Sequence, residues 1–431
     1  MSQPATVVEA VQIAPADQEL WCLHEACLES LTTFASPSEL AAHETCHISK
    51  YSDDTAAQRL SEAHRAQSED LLLRVEFNTA APEDVKTVFI YNHGFPDASV
   101  VADALAVAAT EMSCGQLGND SDDERLFASA VPRKWGDGLL NSTPAAAFVC
   151  FNTRGVPGSG GNFYDKTLTD DVDDLELARF YCASRFENAS RLFLCGMSTG
   201  AFLSVAAAAR PSMTSSRAVG ASAVETEVEK RAVRRWQKLQ LRGVFVLACV
   251  DDIPSSVSLD FSEEQRQHAQ AHGWCYTSFW PWSRPQKQTA EGNNENYAPF
   301  DKLPAAAPEQ WRLGRGYLDS YQQLPPTTTL GHSLRVPLLL IHGDRDTHVP
   351  LSHGQRLLQA LNAAASGLME SNGVDSTASA AASDTHGLSQ SPYVKDVSLV
   401  VLKGGNHFLS SSKAMKQALA AIRVFVKEHS F

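Results

Sequence analysis

Gly196-Met197-Ser198-Thr199-Gly200 sets one hydroxyl between two glycines, directly after the apolar run Leu192-Phe193-Leu194-Cys195 and before the small-residue run Ala201-Phe202-Leu203-Ser204-Val205-Ala206-Ala207. That order predicts a strand, a sharp turn and a helix. Such a turn is strained, and a side chain at either flanking position would strike the neighbouring strand or helix, so both are glycine. The serine is left exposed at the helix N-terminus, where the dipole favours developing negative charge. This suits nucleophilic attack on an acyl carbon.

A serine is inert without a base, and the base needs an acid to orient it. Two later apolar runs end in such residues. Pro337–His342 leads into Gly343-Asp344-Arg345-Asp346-Thr347-His348-Val349-Pro350, and Val397–Leu402 leads into Lys403-Gly404-Gly405-Asn406-His407-Phe408. Both loops then fall at the carboxyl ends of strands, where open α/β sheets place their sites. Among the 14 histidines, His407 alone follows the acid loop and comes directly after a strand. His348 and His353 crowd the acid loop, His386 sits in a low-complexity stretch, and His429 ends the last helix. For the acid, Asp346 competes with Asp344, which suits a turn-stabilising role, and with Asp251 and Asp252 after an earlier run. A third loop, Asn92-His93-Gly94-Phe95-Pro96, also follows an apolar run. There the Phe95 N–H, with the Thr199 N–H, would hold an oxyanion, Gly94 would let the backbone approach, and His93 would brace the loop.

The elements that must position these groups alternate along the chain. Val85–Asn92, Ala145–Asn152, Arg191–Cys195, Leu241–Val250, Val336–His342 and Val397–Leu402 read as buried strands, rich in Val, Leu, Ile or Phe and bounded by turn residues. Thr169–Phe186, Ser198–Ala209 and Ser411–Glu428 read as helices. The first opens with Asp170, Asp171, Asp173 and Asp174, acids that complement the positive end of a helix dipole. Strand alternating with helix predicts an α/β fold with a doubly wound, mostly parallel sheet. Gly115–Thr143 and Ser212–Glu229 read as polar loops, and Ala363–Ser391, rich in Ser, Ala and Gly, as disordered. Residues 252–331 carry Trp274, Tyr276, Phe279, Trp280, Trp282 and Trp311, too aromatic for a linker, and are expected to form a cap. No internal repeat is found.

From about Asp84 to Phe431 the chain resembles an α/β-hydrolase, and in detail the serine aminopeptidase and monoacylglycerol-lipase-like branch. Phe151-Asn152-Thr153-Arg154-Gly155 with Gly158-Ser159-Gly160-Gly161 is similar to the Arg-Gly-x-Gly-x-Ser stretch of that branch. Gly343-x-x-Asp346-x-x-Val349-Pro350 is similar to its acid loop, so the resemblance implies a triad of Ser198, Asp346 and His407; some members recruit the acid after the earlier strand instead. His-Gly-Phe-Pro is also similar to epoxide hydrolases and dehalogenases, but those use an aspartate nucleophile where this chain has Ser198.

A second signal lies near the N-terminus. Cys22 and Cys27, then Phe34, Leu40, His43 and His47, resemble a two-cysteine, two-histidine zinc finger. His43 and His47 are one helical turn apart, and Pro37 suits a helix start. Fifteen residues separate Cys27 from His43, against about twelve in the usual finger, and Cys46 competes as a ligand. Such a zinc would be structural, with no cofactor needed for catalysis. Acids at 17, 19, 25, 29, 39 and 44 disfavour phosphate contact and leave a protein-contacting or structural role. Residues 1–60 are therefore expected to form a zinc-finger-like module with its linker, and 61–431 the hydrolase domain.

Charge and composition exclude other classes. A formal net charge of −14 argues against binding nucleic acid or anionic membrane surfaces. The N-terminus lacks the basic and apolar regions of a secretory signal, and no apolar run approaches the ~20 residues of a membrane span. Nine scattered cysteines, several inside apolar runs, suit reduced buried thiols and a cytoplasmic location. The expected activity is acyl-enzyme hydrolysis of small carboxylic esters with an apolar part facing the aromatic cap. The alternatives are an aminopeptidase-type amide hydrolase and a non-catalytic interaction protein.

Overall fold

In a computed structural model of the chain, residues 7–13, 20–21, 33–34, 71–95, 99, 130–156, 159–209, 238–277, 312–371 and 396–430 are described. Among the described residues, eight strands form the main sheet: β1 (Val7–Ile13), β2 (Leu71–Phe77), β3 (Thr87–Asn92), β4 (Ala146–Phe151), β5 (Arg191–Met197), β6 (Gln240–Leu247), β7 (Leu338–Gly343) and β8 (Val397–Leu402). Their order is β1-β2-β4-β3-β5-β6-β7-β8. The six strands from β4 to β8 are parallel. β2 runs antiparallel to both β4 and β1. This is the α/β architecture expected, a doubly wound and mostly parallel sheet flanked by helices. β3, β4 and β7 are buried along their whole length, as strands covered on both faces must be.

The chain passes from β3 to β4 on one side, then returns to lay β5 on the other side of β3. The order reverses there, and such a switch point opens a crevice at the strands' carboxyl ends. Asn92 pairs with Gly196 across β3 and β5. The loop carrying His93, Gly94 and Phe95 is thereby set beside the turn carrying Ser198.

The helices are α1 (Ala130–Leu140), α2 (Leu168–Arg185), α3 (Thr199–Ala209), α4 (Ile253–Asp260), α5 (Glu263–His272), α6 (Arg315–Gln323), α7 (Thr327–His332), α8 (Leu351–Ser371) and α9 (Ser412–His429). Phe89 stacks on Phe193 at 5.5 Å between ring centroids. Phe425 of α9 meets Phe193 and Phe245 edge-on, so the C-terminal helix closes one face of the sheet. The expected cap contains α4 to α7 and a two-stranded ribbon pairing Trp274–Tyr276 with Arg312–Gly314.

Several expectations are corrected. Residues 130–140 are helix, not loop. Val131, Trp135 and Leu139 lie four apart and are fully buried, and that apolar stripe outweighs Pro132, Gly136 and Gly138. The alanine-rich start of 363–391 continues α8 as far as Ser371, since Ala is the best helix former. β1 and β2 were not anticipated; in β2 the polar Arg74 and Glu76 interrupt the apolar run. The acids opening α2 do more than meet a dipole. Asp170 forms a capping box with Thr167, Asp171 pairs with Lys166, and Asp174 takes Arg154 through its side-chain Nε at 2.8 Å and its backbone N–H at 2.7 Å. The insertion 212–229, the aromatic residues Phe279, Trp280, Trp282 and Trp311, and residues 372–395 lie outside the described residues.

Candidate active site

Ser198 follows β5 and precedes α3 with a φ of +56°. A non-glycine residue in that region is strained and persists because the surroundings over-determine it. The Ser198 N–H is tied to the Leu247 carbonyl at 2.9 Å, and its carbonyl accepts the Ala201 N–H at 2.9 Å. At Gly200 a Cβ would collide with the backbone carbonyls of Asn92 and His93. Glycine at position 200 thus lets the helix and the β3 loop close on each other.

The acid and the base meet. His407 Nδ1 lies 2.8 Å from Asp346 Oδ2. The other carboxylate oxygen accepts the N–H groups of His348 at 3.0 Å and Val349 at 2.8 Å. Burial pushes the Asp346 carboxyl up, but the His407 hydrogen bond, the His407 charge and the Val349 N–H outweigh it and hold it below the usual carboxylate range. Asp346 is therefore ionised and fixed, as an orienting acid must be. Asp344 instead accepts the Gly404 N–H at 2.6 Å, pinning the turn that leads to His407. The alternative acids sit elsewhere. Asp251 is held by Arg356 Nε at 2.6 Å and His353 Nδ1 at 2.6 Å, and Asp252 stands at the N-cap of α4.

The β3 loop is braced from below. His93 is buried, and burial first, then the Lys166 charge, lower its pKa to about 3 against the Gly94 hydrogen bond. The ring is neutral, and its Nε2 accepts the Thr153 N–H at 3.3 Å. Its Nδ1–H therefore donates to the Gly94 carbonyl at 2.8 Å. In a planar trans peptide the N–H points opposite to the carbonyl, so fixing Gly94 O fixes the direction of the Phe95 N–H. The open face of Gly94 lies against Ser198, where a Cβ would stand 3.2 Å from the Ser198 Cβ. Thr199 is the first residue of α3, so its N–H has no intrahelical acceptor. Behind His93, Lys166 Nζ donates to Thr153 Oγ1 at 2.6 Å. Ser159 accepts the Leu72 N–H at 2.9 Å and donates to the Asn152 carbonyl at 2.6 Å. Thr153 thus braces this loop through His93, and Ser159 ties the turn after β4 to β2.

One residue of the site had no signal in the sequence. Asp260, the last residue of α4, accepts the Tyr321 hydroxyl at 2.5 Å, and burial pushes its carboxyl up to about 6 against the pull of Tyr321, His407 and Thr199. Phe95 carries the roof: Tyr317 stacks on it at 4.5 Å and Phe261 lies at 5.5 Å. Cys22, Cys27, His43 and His47 lie outside the described residues, and no metal-ligating cluster is found among the described ones. The described cysteines, Cys150, Cys182, Cys195, Cys249 and Cys275, are unpaired and buried. Among the described residues no helix is long and apolar enough to cross a membrane.

No family model matches this sequence, and no curated protein matches it either. Solved structures are similar to it at low identity. Est1E from Butyrivibrio proteoclasticus with ferulic acid bound is 13% identical, with a TM-score of 0.46 over 84% of this chain and 96% of its own. An esterase domain of a Rhodothermus marinus protein is 12% identical, with a TM-score of 0.42 over 85% and 95%. A Pyrococcus furiosus esterase is 13% identical, with a TM-score of 0.44 over 84% and 86%.

Proposed function

We propose that the chain is a serine hydrolase that cleaves small carboxylic esters through an acyl-enzyme. The observation that carries this reading is the 2.8 Å contact of His407 with a buried, ionised Asp346, at the sheet end that also holds a strained Ser198. In the first step His407 takes the Ser198 proton as Oγ attacks the ester carbonyl carbon. The Phe95 and Thr199 N–H groups hold the oxyanion, and the imidazolium returns its proton to the departing alcohol. Water, deprotonated by His407, then attacks the acyl-serine; the Ser198 oxygen leaves with that proton and the acid is released. Asp346 keeps its negative charge throughout and steadies the imidazolium.

The test is turnover of a series of short-chain esters by the wild type, Ser198→Ala and His407→Ala. Turnover that either substitution reduces by about 10³-fold or more supports the reading. Equal turnover in all three proteins contradicts it.

A further inference from the structure

Near the end of β7 sits a histidine that the proposed acyl transfer does not use. His342 is buried, and its Nε2 lies 2.8 Å from the Val349 carbonyl oxygen and 3.8 Å from Asp346 Oδ2. Both of these neighbours are acceptors, so Nε2 carries a proton and donates it to Val349. Burial pushes the pKa of the ring down, against the pull of the Val349 carbonyl and the Asp346 charge, and the charges on His407 and His353 add to that. The ring is therefore neutral.

Room for the imidazole is made on the side of α8. A Cβ at Gly354 would stand 2.8 Å from His342 Nδ1, too close for either atom to stay in place. On the other side, the buried Val349 carbonyl belongs to the peptide leading into Pro350, and a buried carbonyl needs a donor. His342 supplies one. The Val349 N–H in turn donates to Asp346 Oδ1 at 2.8 Å, and Asp346 Oδ2 meets His407 Nδ1 at 2.8 Å. Three contacts of equal length thus run in series from His342 to His407. The positive end of the Nε2–H dipole also faces Asp346 Oδ2, and in a poorly screened interior it favours the charge on that oxygen.

Resting on the acyl-transfer reading of Ser198, the geometry points to His342 as the positioning residue that sets Asp346 for His407. Its N–H fixes the carbonyl side of Val349, and the N–H side of Val349 fixes the carboxylate. Gly354 belongs to the same device, because it leaves the ring space to reach Val349. Disturbing either residue frees the carboxylate to turn away from Nδ1, so the base is held less well while substrate binding is unchanged.

The experiment compares the full-length wild type with His342→Leu, His342→Gln and Gly354→Ala. One readout is the far-downfield proton NMR resonance of His407 Nδ1–H, identified by its loss in His407→Ala; the other is turnover of a short-chain ester. His342→Leu and Gly354→Ala should each shift or broaden the resonance. Both should lower kcat about tenfold or more with KM little changed, since small misplacements near the chemistry cost that much. His342→Gln offers an amide N–H in place of Nε2–H and should recover most of both signals. Gly354→Ala keeps every member of the series and puts a good helix former into α8, so its effect is that of moving the ring. Variants at 342 and 354 that keep resonance and kcat overturn the assignment. A lower kcat with an unchanged resonance overturns it too, as does a Gln variant no better than Leu. A wild type that takes no fluorophosphonate label overturns the acyl-transfer reading instead. The resonance needs no turnover and then still judges whether His342 sets Asp346 against His407.

Discussion

His407 and Asp251 each have their own partners, and that separates the two acids by experiment. Asp346→Asn leaves the shape of the site but removes the charge that fixes the base, and should lower kcat on a responsive ester by about 10⁴-fold. Asp251→Asn breaks contacts to Arg356 and His353 and should show in the melting temperature, with less than about tenfold change in kcat. His93→Ala frees the Gly94 carbonyl and lets the Phe95 N–H wander. Since losing one oxyanion donor costs about 10²–10³ in kcat, misaiming it should cost about tenfold or more in kcat with KM little changed; steady-state kinetics decides. Ser198, His407 and Asp346 stand out in the sequence as candidates because each follows an apolar run within a short local motif, and the structure sets His407 against Asp346. Asp260 does not. Nothing in Ser258-Leu259-Asp260-Phe261 distinguishes it, and its meeting with Tyr321, 61 positions later, exists only once the cap has folded.

At the level of elements, the acid and base loops come together because β7 and β8 are neighbours in register, with Gly343 opposite Leu402. A Cβ at Gly343 would collide with the Gly405 carbonyl, so Gly343→Ala must push the two loops apart. It should destabilise the protein by about 1–3 kcal/mol in denaturant titration, the usual cost of overpacking, and weaken turnover as Asp346 and His407 separate. Strands buried on both faces were plain as unbroken apolar runs, and β8 was anticipated at Val397–Leu402 with the bounds observed. β2 was not, because it alternates in burial and carries Arg74 and Glu76 within it. α1 was missed for a related reason. Its proline and glycines speak against a helix, and only the packing of Trp135 against Tyr91 and Phe245 makes it stable.

Across the whole molecule, the reversal of strand order at β3 and β5 gathers four separate loops at one end of the sheet, and the charges buried there make stability depend on pH. His93 has a folded pKa of about 3 against an ordinary value of 6.5. Its neutral ring therefore contributes stability that is complete above pH 6.5 and lost as pH falls toward 3. Asp171 and Asp260, raised to about 6 mainly by burial, act in the opposite sense: their contribution is present below the ordinary carboxylate range and lost as pH rises through 6. Thermal melts of the wild type beside His93→Ala isolate the first effect. The stability difference between them should shrink as pH drops from 6.5 to 4, whereas a constant difference would mean the buried ring is not neutral. A fluorophosphonate probe followed by peptide mass spectrometry should place a single adduct on Ser198 and none on the Ser198→Ala protein. A folded wild type that takes no adduct, or a Ser198→Ala protein that still does, would contradict the account.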